Sequence, residues 1–364
     1  MPHTIHTRSI AERMRWLAEL GAEHSRVFAG PEAYLQRRRY RAEHPTAILA
    51  FKCMDGRIHL PYITKTPLGI IQPFRNLGGG FDIGWPHLGE LVTHEVMRAI
   101  EEGRRVLILV TYHYSRGDRS RGCSGFDYDL DAARSSAFAF RRQLESVFGT
   151  DHQIVYPLVV GIETDEDALT LHWDRGTALA LAAIEAAGRG EAELEDLLAH
   201  ALRGTFRDMP ADIMRDLLPL VIGNLRHIGE VRSMERSLDI QHHEWILCVG
   251  RGFDFLHVPN TALIVGPYSP NIDEPIVTAA RIIQSNMEAG RIPDDGLILL
   301  ASSPYEEIGI DYRRAVEKSK FLSRFAAATI QAEVPYIHRR MIRKTCVLNW
   351  TDRSLEEIET VYPA

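Results

Sequence analysis

The stretch AILAFKCMDGR, residues 47–57, decides the fold of this chain. It begins with a short apolar run, which predicts a buried β-strand. After this run a thiol, a carboxylate and a guanidinium follow at alternate positions, as Cys53, Asp55 and Arg57. Alternation along an extended backbone would direct these three side chains to one side. A thiolate binds zinc, and a carboxylate paired with arginine is a fixed acceptor, so the stretch predicts a metal hydrolase or hydratase.

The remaining metal ligands are expected after a second apolar run, residues 106–111, which also predicts a buried strand. His113 lies just beyond this run, and Cys123 follows in a loop rich in glycine, serine and arginine. Together with Cys53 they form a set of two cysteines and one histidine that leaves one coordination position open. This pattern is typical of catalytic rather than structural zinc.

The order of these residues resembles that of the β-class carbonic anhydrases. In that family a Cys-x-Asp-x-Arg motif ends the first strand, an Arg-Asn-x-Gly motif follows the second, and a histidine ends the third. Residues 156–164 and 169–171 resemble the fourth strand of the family and the hairpin after it. The resemblance covers residues 45–175 and depends on Cys53, Asp55, Arg57, Arg75, Asn76, Gly78 and His113.

The spacing between the histidine and the second cysteine departs from the usual family pattern. That pattern is His-x2-Cys, and Arg116 occupies the position of the cysteine here. A longer gap is a feature of the divergent carboxysome shell carbonic anhydrases, which this chain resembles more closely. The longer gap makes Cys123 the third ligand, while a water, Asp55 itself or a carboxylate near Asp118 remain as alternatives.

The resemblance implies a Zn²⁺ cofactor and the reversible hydration of CO2 to bicarbonate by attack of zinc-bound hydroxide. Asp55, held by Arg57, would accept the hydrogen of the hydroxide, so these two residues are the expected catalytic pair. The expected residues around the substrate are Arg75, Asn76 and Gly78. Because histidine titrates near neutral pH, the candidates for carrying the proton to buffer are His59, His87 and His94.

Two other functions remain open. A related zinc hydrolase acting on COS or CS2 would need the same ligands, and a catalytically drifted chain would be a zinc-stabilised scaffold or binding protein. The pair of Asp55 and Arg57 favours an enzyme, because a purely structural zinc site has no use for it. His242 and His243 beside Glu244 could also bind a metal, although such a pair in a linker is more often only exposed.

An imperfect internal repeat supports the resemblance to the carboxysomal branch. Residues 47–61 align with 245–259, residues 107–109 with 297–299, residues 127–128 with 311–312, and residues 171–173 with 348–350. The second copy has lost the metal-binding residues, since Cys53 corresponds to Arg251, Asp55 to Phe253, Arg57 to Phe255 and His113 to Ser303. Cys248 and Cys346 lie within apolar runs of this copy and are expected to be core residues.

We therefore predict an α/β fold with two β-carbonic-anhydrase-like copies, each a central, mostly parallel sheet flanked by helices. The copies are expected to be fused as a pseudo-dimer whose second member is degenerate, because an isologous interface needs a copy of the same surface. The expected segments are an N-terminal helical arm (1–45), a zinc-binding catalytic domain (46–175), a helical connector (176–242) and the degenerate repeat (243–364). Residues 178–184 are expected to be helical, and residues 354–364 to form a short tail.

Composition agrees with a soluble globular protein, with 45% hydrophobic and 25% charged residues. The formal net charge of −7 argues against nucleic acid or an anionic membrane as partner. No secretory signal is recognisable, and 4 cysteines in 364 residues favour a reducing, cytoplasmic location, with a carboxysome as the alternative. CO2 and bicarbonate are the expected small-molecule partners. A homodimer or higher oligomer, and a carboxysome shell or enzyme partner, are left open.

Overall fold

A computed structural model of the chain describes residues 5–185, 189–234, 241–251 and 258–363. Its strands are β1 (Ala47–Cys53), β2 (Ile71–Asn76), β3 (Val106–Tyr114), β4 (Val155–Glu163), β5 (Ala168–His172), β6 (Ala178–Ala180), β7 (Ile246–Gly250), β8 (Ala262–Val265), β9 (Leu297–Tyr305), β10 (Met341–Asn349) and β11 (Leu355–Val361). Its helices are α1 (Ile10–Ala29), α2 (Pro31–Glu43), α3 (Leu60–Ile63), α4 (Pro86–Glu101), α5 (Leu130–Phe148), α6 (Glu191–Thr205), α7 (Ala211–Arg232), α8 (Asp273–Glu288), α9 (Ile310–Glu333) and α10 (Pro335–His338).

The chain divides into two compact units, each with one sheet. The N-sheet unit comprises Leu35–Cys53 and Ile58–Ile240. The C-sheet unit comprises Met1–Tyr34, Met54–Arg57 and Gln241–Ala364. Residues 54–57, which carry half of the opening motif, thus belong to the C-sheet unit. The four segments expected from the sequence stay a prediction.

The N-sheet unit has a six-stranded sheet in the order β2-β1-β3-β4-β5-β6. The first four strands in this order run parallel, and β5 and β6 are antiparallel to their neighbours. The strands β1, β3 and β4 are buried almost throughout, as is typical of central strands in a parallel sheet covered on both faces. Phe51 of β1 stacks on Phe74 with ring centroids 4.7 Å apart and meets Phe140 of α5 edge-on at 4.9 Å.

The C-sheet unit has a five-stranded sheet in the order β11-β10-β9-β7-β8. Taken from its other edge, β8-β7-β9-β10-β11 repeats the order β2-β1-β3-β4-β5, with four parallel strands and one antiparallel strand. A core cluster of Tyr305, Ala315 and Val347 packs α9 against this sheet. The predicted fold class is confirmed, because the chain holds two sheet-and-helix units of one topology.

Strand pairing corrects the alignment of the repeat in two places. Ile48 pairs with Leu107, and the corresponding Ile246 pairs with Ile298, so the alignment of residues 107–109 with 297–299 was wrong by one residue. His113 therefore corresponds to Pro304 and not to Ser303. The alignment of residues 171–173 with 348–350 was also wrong, because the former end β5, whereas the latter end β10, which is the counterpart of β4.

The alignment of residues 127–128 with 311–312 also predicted that each pair begins a helix. This prediction was right only for residues 311–312. Asp311 and Tyr312 lie in the first turn of α9. Asp127 and Tyr128 instead lie in the turn before α5, with φ angles of 49° and 61°. It is Asp129 that caps α5, because its side chain accepts hydrogen bonds from the amides of Asp131 and Ala132.

Two further predictions of local structure were wrong. Residues 178–184 form the short strand β6 and a 3-10 turn instead of a helix, because a tight turn at Asp174 folds the chain back onto β5. Residues 354–364 contain the edge strand β11 instead of a tail. Its residues pair with β10 from Leu348 to Arg343, and Lys344 forms an ion pair with Glu357 across the two strands. The alanine-rich β6 has the composition of a helix, and the glutamate-rich β11 lacks the apolar run of a buried strand.

Candidate metal centre

The structure brings Cys53, His113 and Cys123 together in the N-sheet unit. One Sγ or ring nitrogen from each residue lies within 4.8 Å of the others. All three side chains are buried, with exposed fractions of 6%, 2% and 3%. Around a tetrahedral zinc ion, with bonds of about 2.3 Å to sulfur and about 2.0 Å to nitrogen, two ligand atoms are less than 4.8 Å apart. The types of the three donors and their proximity therefore fit a zinc ion.

Neighbouring parallel strands explain how two of these ligands meet. Cys53 is the last residue of β1, and His113 is the penultimate residue of β3. The strands β1 and β3 pair directly, with Phe51 opposite Val110. Carboxyl ends of adjacent parallel strands lie at the same edge of a sheet, which is where ligands bind in open α/β folds.

Glycines of the turn after β2 help to place these strand ends. Gly79 has a φ of 67°, and a Cβ atom there would lie 3.0 Å from the carbonyl oxygen of Thr111 and 3.3 Å from the amide nitrogen of Cys53. Gly78 packs against the turn that follows Cys123, since a Cβ on Gly125 would lie 2.7 Å from its Cα. The turn thus contacts both β1 and the loop of the third ligand.

The third ligand is held by its own loop. The carbonyl oxygen of Cys123 accepts hydrogen bonds from the amides of Phe126 at 3.2 Å and Tyr128 at 3.0 Å. Arg116, at the usual family position of this ligand, donates its amide to the buried Glu163 at 3.1 Å. Of these two residues, Cys123 and not Arg116 is the one in the cluster, as the longer gap predicted.

Arg75 and Asn76 act on the backbone around the motif. The guanidinium of Arg75 is buried and donates to the carbonyl oxygens of Cys53 at 3.1 Å and Ile58 at 2.8 Å. Asn76 donates its side-chain amide to the carbonyl oxygen of Gly80 at 2.8 Å. These bonds hold the end of β1 and the turn after β2, which accords with a site-shaping role.

Asp55 and Arg57 form a buried ion pair in the C-sheet unit. Arg57 donates to the Asp55 carboxylate from its backbone amide at 2.9 Å, from Nε at 3.0 Å and from a terminal nitrogen at 2.6 Å. The expected alternation was wrong, because β1 ends at Cys53 and residues 54–57 leave the strand in a turn. The pair nevertheless forms, since the side chain of Asp55 closes this turn on the amide of Arg57.

The proton-transfer candidates have different surroundings. His59 is buried, and its Nδ1 accepts the amide of Tyr62 at 2.9 Å, so it caps α3. His87 and His94 are exposed on α4.

His242 and Glu244 are functional candidates that sequence reasoning set aside. The Nδ1 atom of His242 lies 2.9 Å from Glu244, and its Nε2 atom lies 4.0 Å from the Asp55 carboxylate. Glu244 is fully buried, with an exposed fraction of 0%. Burial alone would raise the pKa of the Glu244 carboxyl, but the adjacent His242 brings the pKa below its ordinary value.

A cavity of about 440 Å³ opens beside the metal ligands in the N-sheet unit. His113 and Cys123 line it together with Arg119, Tyr128 and Asp129. Arg119 donates from Nε to the carbonyl oxygen of Tyr128 at 3.0 Å, which closes the loop on one side of the cavity. Two of the three candidate metal-binding residues therefore border this cavity.

The corresponding edge of the C-sheet unit has other residues. Arg251 follows β7 in the place of Cys53, and its guanidinium lies 5.7 Å from the centre of the Trp350 ring. Ser303 and Pro304 lie near the end of β9. Phe253 and Phe255, the expected counterparts of Asp55 and Arg57, lie outside the described residues. Cys248 and Cys346 are buried core residues, as predicted.

Comparison with known proteins decides the family. A family model described as the carboxysome shell carbonic anhydrase, catalytic domain, matches residues 44–234, more than half of the chain. The chain belongs to the carboxysome shell carbonic anhydrase family. None of the curated proteins matches it. The family match supports carbonic anhydrase-type activity and CO2 or bicarbonate as substrate, and the Cys–His–Cys cluster provides donors for the zinc that such enzymes typically use.

In this carboxysome shell carbonic anhydrase homologue, the match covers the candidate metal-binding residues from Cys53 to Cys123 and all of the N-sheet strands. The strands of the C-sheet unit lie beyond it. Among the described residues, no helix is long and apolar enough to cross a membrane.

Proposed function

We propose that the chain catalyses the zinc-dependent, reversible hydration of CO2 to bicarbonate. The observation that supports this most is the buried cluster of Cys53, His113 and Cys123 in a chain of a carbonic anhydrase family. A bound zinc ion supplies Lewis acidity and lowers the pKa of a water that it holds to about 7. The proposal assigns all three metal ligands to the N-sheet unit.

Asp55 and Arg57 are the proposed catalytic pair. Asp55 lies two residues after the proposed ligand Cys53 in the sequence, and its carboxylate accepts hydrogen bonds from the Arg57 guanidinium, which fix its position. An ionised carboxylate has only hydrogen-bond acceptors, so it can accept the hydrogen of the reacting water and orient its lone pair. Arg75, Asn76 and Gly78 are the proposed site-shaping residues, because they fix the backbone on which the ligands stand.

Metal analysis combined with a CO2-hydration assay tests this function. We expect one tightly held zinc per chain after dialysis into metal-free buffer, together with CO2 hydration in a stopped-flow assay with a pH indicator. Removal of the zinc with a chelator should stop hydration, and adding zinc should restore it. Zinc without hydration would overturn the proposal in favour of a zinc-stabilised scaffold, and turnover of COS or CS2 alone would indicate the related hydrolase.

The proposed location is the cytoplasm or a carboxysome, since the family is named for the carboxysome shell. We also propose that the chain forms an oligomer and that it binds a carboxysome partner.

A further inference from the structure

A second group of metal-binding side chains lies within the C-sheet unit. It consists of Asp55, His242 and Glu244, and one donor atom from each lies within 4.8 Å of the other two. In the described part of the chain, this group and the cysteine–histidine cluster are the two sets of three such side chains this close together. The group contains no cysteine and combines one imidazole with two carboxylates.

Backbone hydrogen bonds hold the Asp55 side of this group in place. The amide of Ile264 in β8 donates to the carbonyl oxygen of Met54 at 2.9 Å, and the amide of Asn260 donates to that of Gly56 at 3.0 Å. A Cβ atom on Gly56 would lie 2.3 Å from the carbonyl oxygen of Ala262, so only glycine permits this approach. The Asp55 turn is therefore anchored to β8 and to Asn260 just before this strand.

Glu244 and His242 are held from the other side. Glu244 lies just before β7, and its carbonyl oxygen accepts the side-chain amide of Asn286 at 3.0 Å. His242 contacts Glu244 through Nδ1, which leaves Nε2 directed toward Asp55 at 4.0 Å. The donor atoms of all three residues thus lie close enough together for one cation to contact them.

The charges of the group also favour a cation. Two buried carboxylates, Asp55 and Glu244, share this region with the Arg57 guanidinium and the His242 imidazole, which is 21% exposed. Bringing a carboxylate out of water costs free energy that a bound cation offsets.

We propose that Asp55, His242 and Glu244 form a second binding site for a zinc-class divalent cation, and that a cation bound there inhibits the enzyme. Imidazole and carboxylate together suit Zn²⁺ and Co²⁺, whereas Mg²⁺ and Ca²⁺ prefer oxygen ligands alone. Binding would draw the Asp55 carboxylate away from Arg57, which donates to it at 2.6 Å. The site is therefore weaker than the first, and its inhibitory effect rests on the proposed role of Asp55.

Titration of the protein that already holds one zinc tests the site. Calorimetry and equilibrium dialysis with ZnCl2 should show one further equivalent, and CoCl2 should bind with a change in visible absorption, while MgCl2 and CaCl2 should not bind. His242→Ala and Glu244→Gln should each weaken this equivalent by about tenfold or more. His243→Ala is the matched control, since His243 is adjacent in sequence but outside the group, and it should keep the second equivalent unchanged.

Two outcomes would overturn the inference: no second equivalent in the unaltered protein, or one that persists unchanged in His242→Ala. Because Glu244 is buried, the Glu244→Gln result counts only if the variant keeps the circular dichroism spectrum and the first zinc of the unaltered protein. His242 is partly exposed, so His242→Ala is the decisive variant. In the activity arm, added zinc should inhibit the unaltered protein and His243→Ala at the concentration that fills the second site, and should inhibit His242→Ala about tenfold less. Binding is measured independently of turnover, so failure of this site and failure of the proposed function are read from different experiments.

Discussion

The two sheets of this chain share a strand order but differ at the carboxyl ends of their first and third strands. In the N-sheet unit these ends carry Cys53 and His113, which meet with Cys123 in one cluster. In the C-sheet unit Arg251 and Pro304 occupy the corresponding positions. Neither an arginine nor a proline side chain is a zinc ligand. The topology depends on buried apolar strands, which both units keep, whereas the chemistry depends on a few side chains at strand ends, which differ.

The largest effect is expected from removing a ligand in the unit that has the cluster. Cys53→Ser or His113→Ala should remove zinc and abolish CO2 hydration, because either change leaves only two of the three proposed ligands. Metal analysis and stopped-flow hydration are the measurements. Cys248→Ser is the matched control, since Cys248 is also a buried strand cysteine but lies in β7 of the C-sheet unit. If Cys248→Ser lost zinc as Cys53→Ser does, the assignment of the metal to the N-sheet unit would be wrong.

Cys123→Ser tests the comparison of the two units at the loop between β3 and α5. The corresponding loop of the C-sheet unit, between β9 and α9, is shorter. The Cys123 thiol lies within the cluster, so the serine variant should lose most of its zinc and its activity. Arg116→Ala serves as the control, because Arg116 has the usual family position of this ligand but bonds Glu163 through its backbone amide alone. Full metal content and full activity in Cys123→Ser would mean that another group completes the site.

A smaller loss is expected when the catalytic pair is altered and the ligands are kept. Asp55→Ala should retain zinc and lose about 10²-fold or more of its turnover number, because a positioned acceptor acts mainly on the transition state. Arg57→Lys should also reduce turnover, since an ammonium group cannot reproduce the planar fork that contacts both carboxylate oxygens at 3.0 and 2.6 Å. Normal turnover in a zinc-loaded Asp55→Ala protein would make the pair structural.

Sequence reasoning found the strands that are apolar and buried on both faces. The strands β1, β3, β4, β7 and β9 are such runs, and their order gave the repeated topology. It failed for β6, whose alanine and leucine content favours a helix, and for β11, a polar edge strand that was predicted to be a tail. Their pairing depends on neighbouring strands, which a local pattern does not contain.

The proximity of Cys53, His113 and Cys123 was predicted because the first two lie at the ends of recognisable strands, but the surroundings of Asp55 were not predicted. A turn rather than an extended strand brings Asp55 to Arg57. Pairing of residues 54–57 with β8 then brings Asp55 to His242 and Glu244, almost two hundred residues later in the chain. No local pattern marks such a contact, because neither residue lies in a motif of its own. The only available signal was two histidines and a glutamate immediately before a buried strand.

The smallest expected effect concerns stability, and it compares β5 with β11. His172 of β5 is buried and lies 2.8 Å from the hydroxyl of Tyr112, and burial lowers its pKa from 6.5 to about 4. The corresponding residue of β11 is the exposed Glu359. Between pH 6.5 and about 4 the unfolded chain binds a proton at His172 that the folded chain does not. The free energy of unfolding should therefore decrease as the pH falls through this range, by up to about 1.4 kcal/mol per pH unit.

His172→Gln should reduce this dependence, because glutamine can still hydrogen-bond Tyr112 but does not titrate. Between pH 7 and pH 5 the unaltered protein should lose up to about 2 kcal/mol more unfolding free energy than the variant, as measured by urea denaturation at both pH values. Glu359→Gln is the control, since Glu359 is the exposed counterpart in β11 and its replacement leaves His172 and Tyr112 unchanged. An equal loss of stability in His172→Gln and the unaltered protein would show that His172 takes up its proton without unfolding, and the acid sensitivity would then have to arise at another buried group.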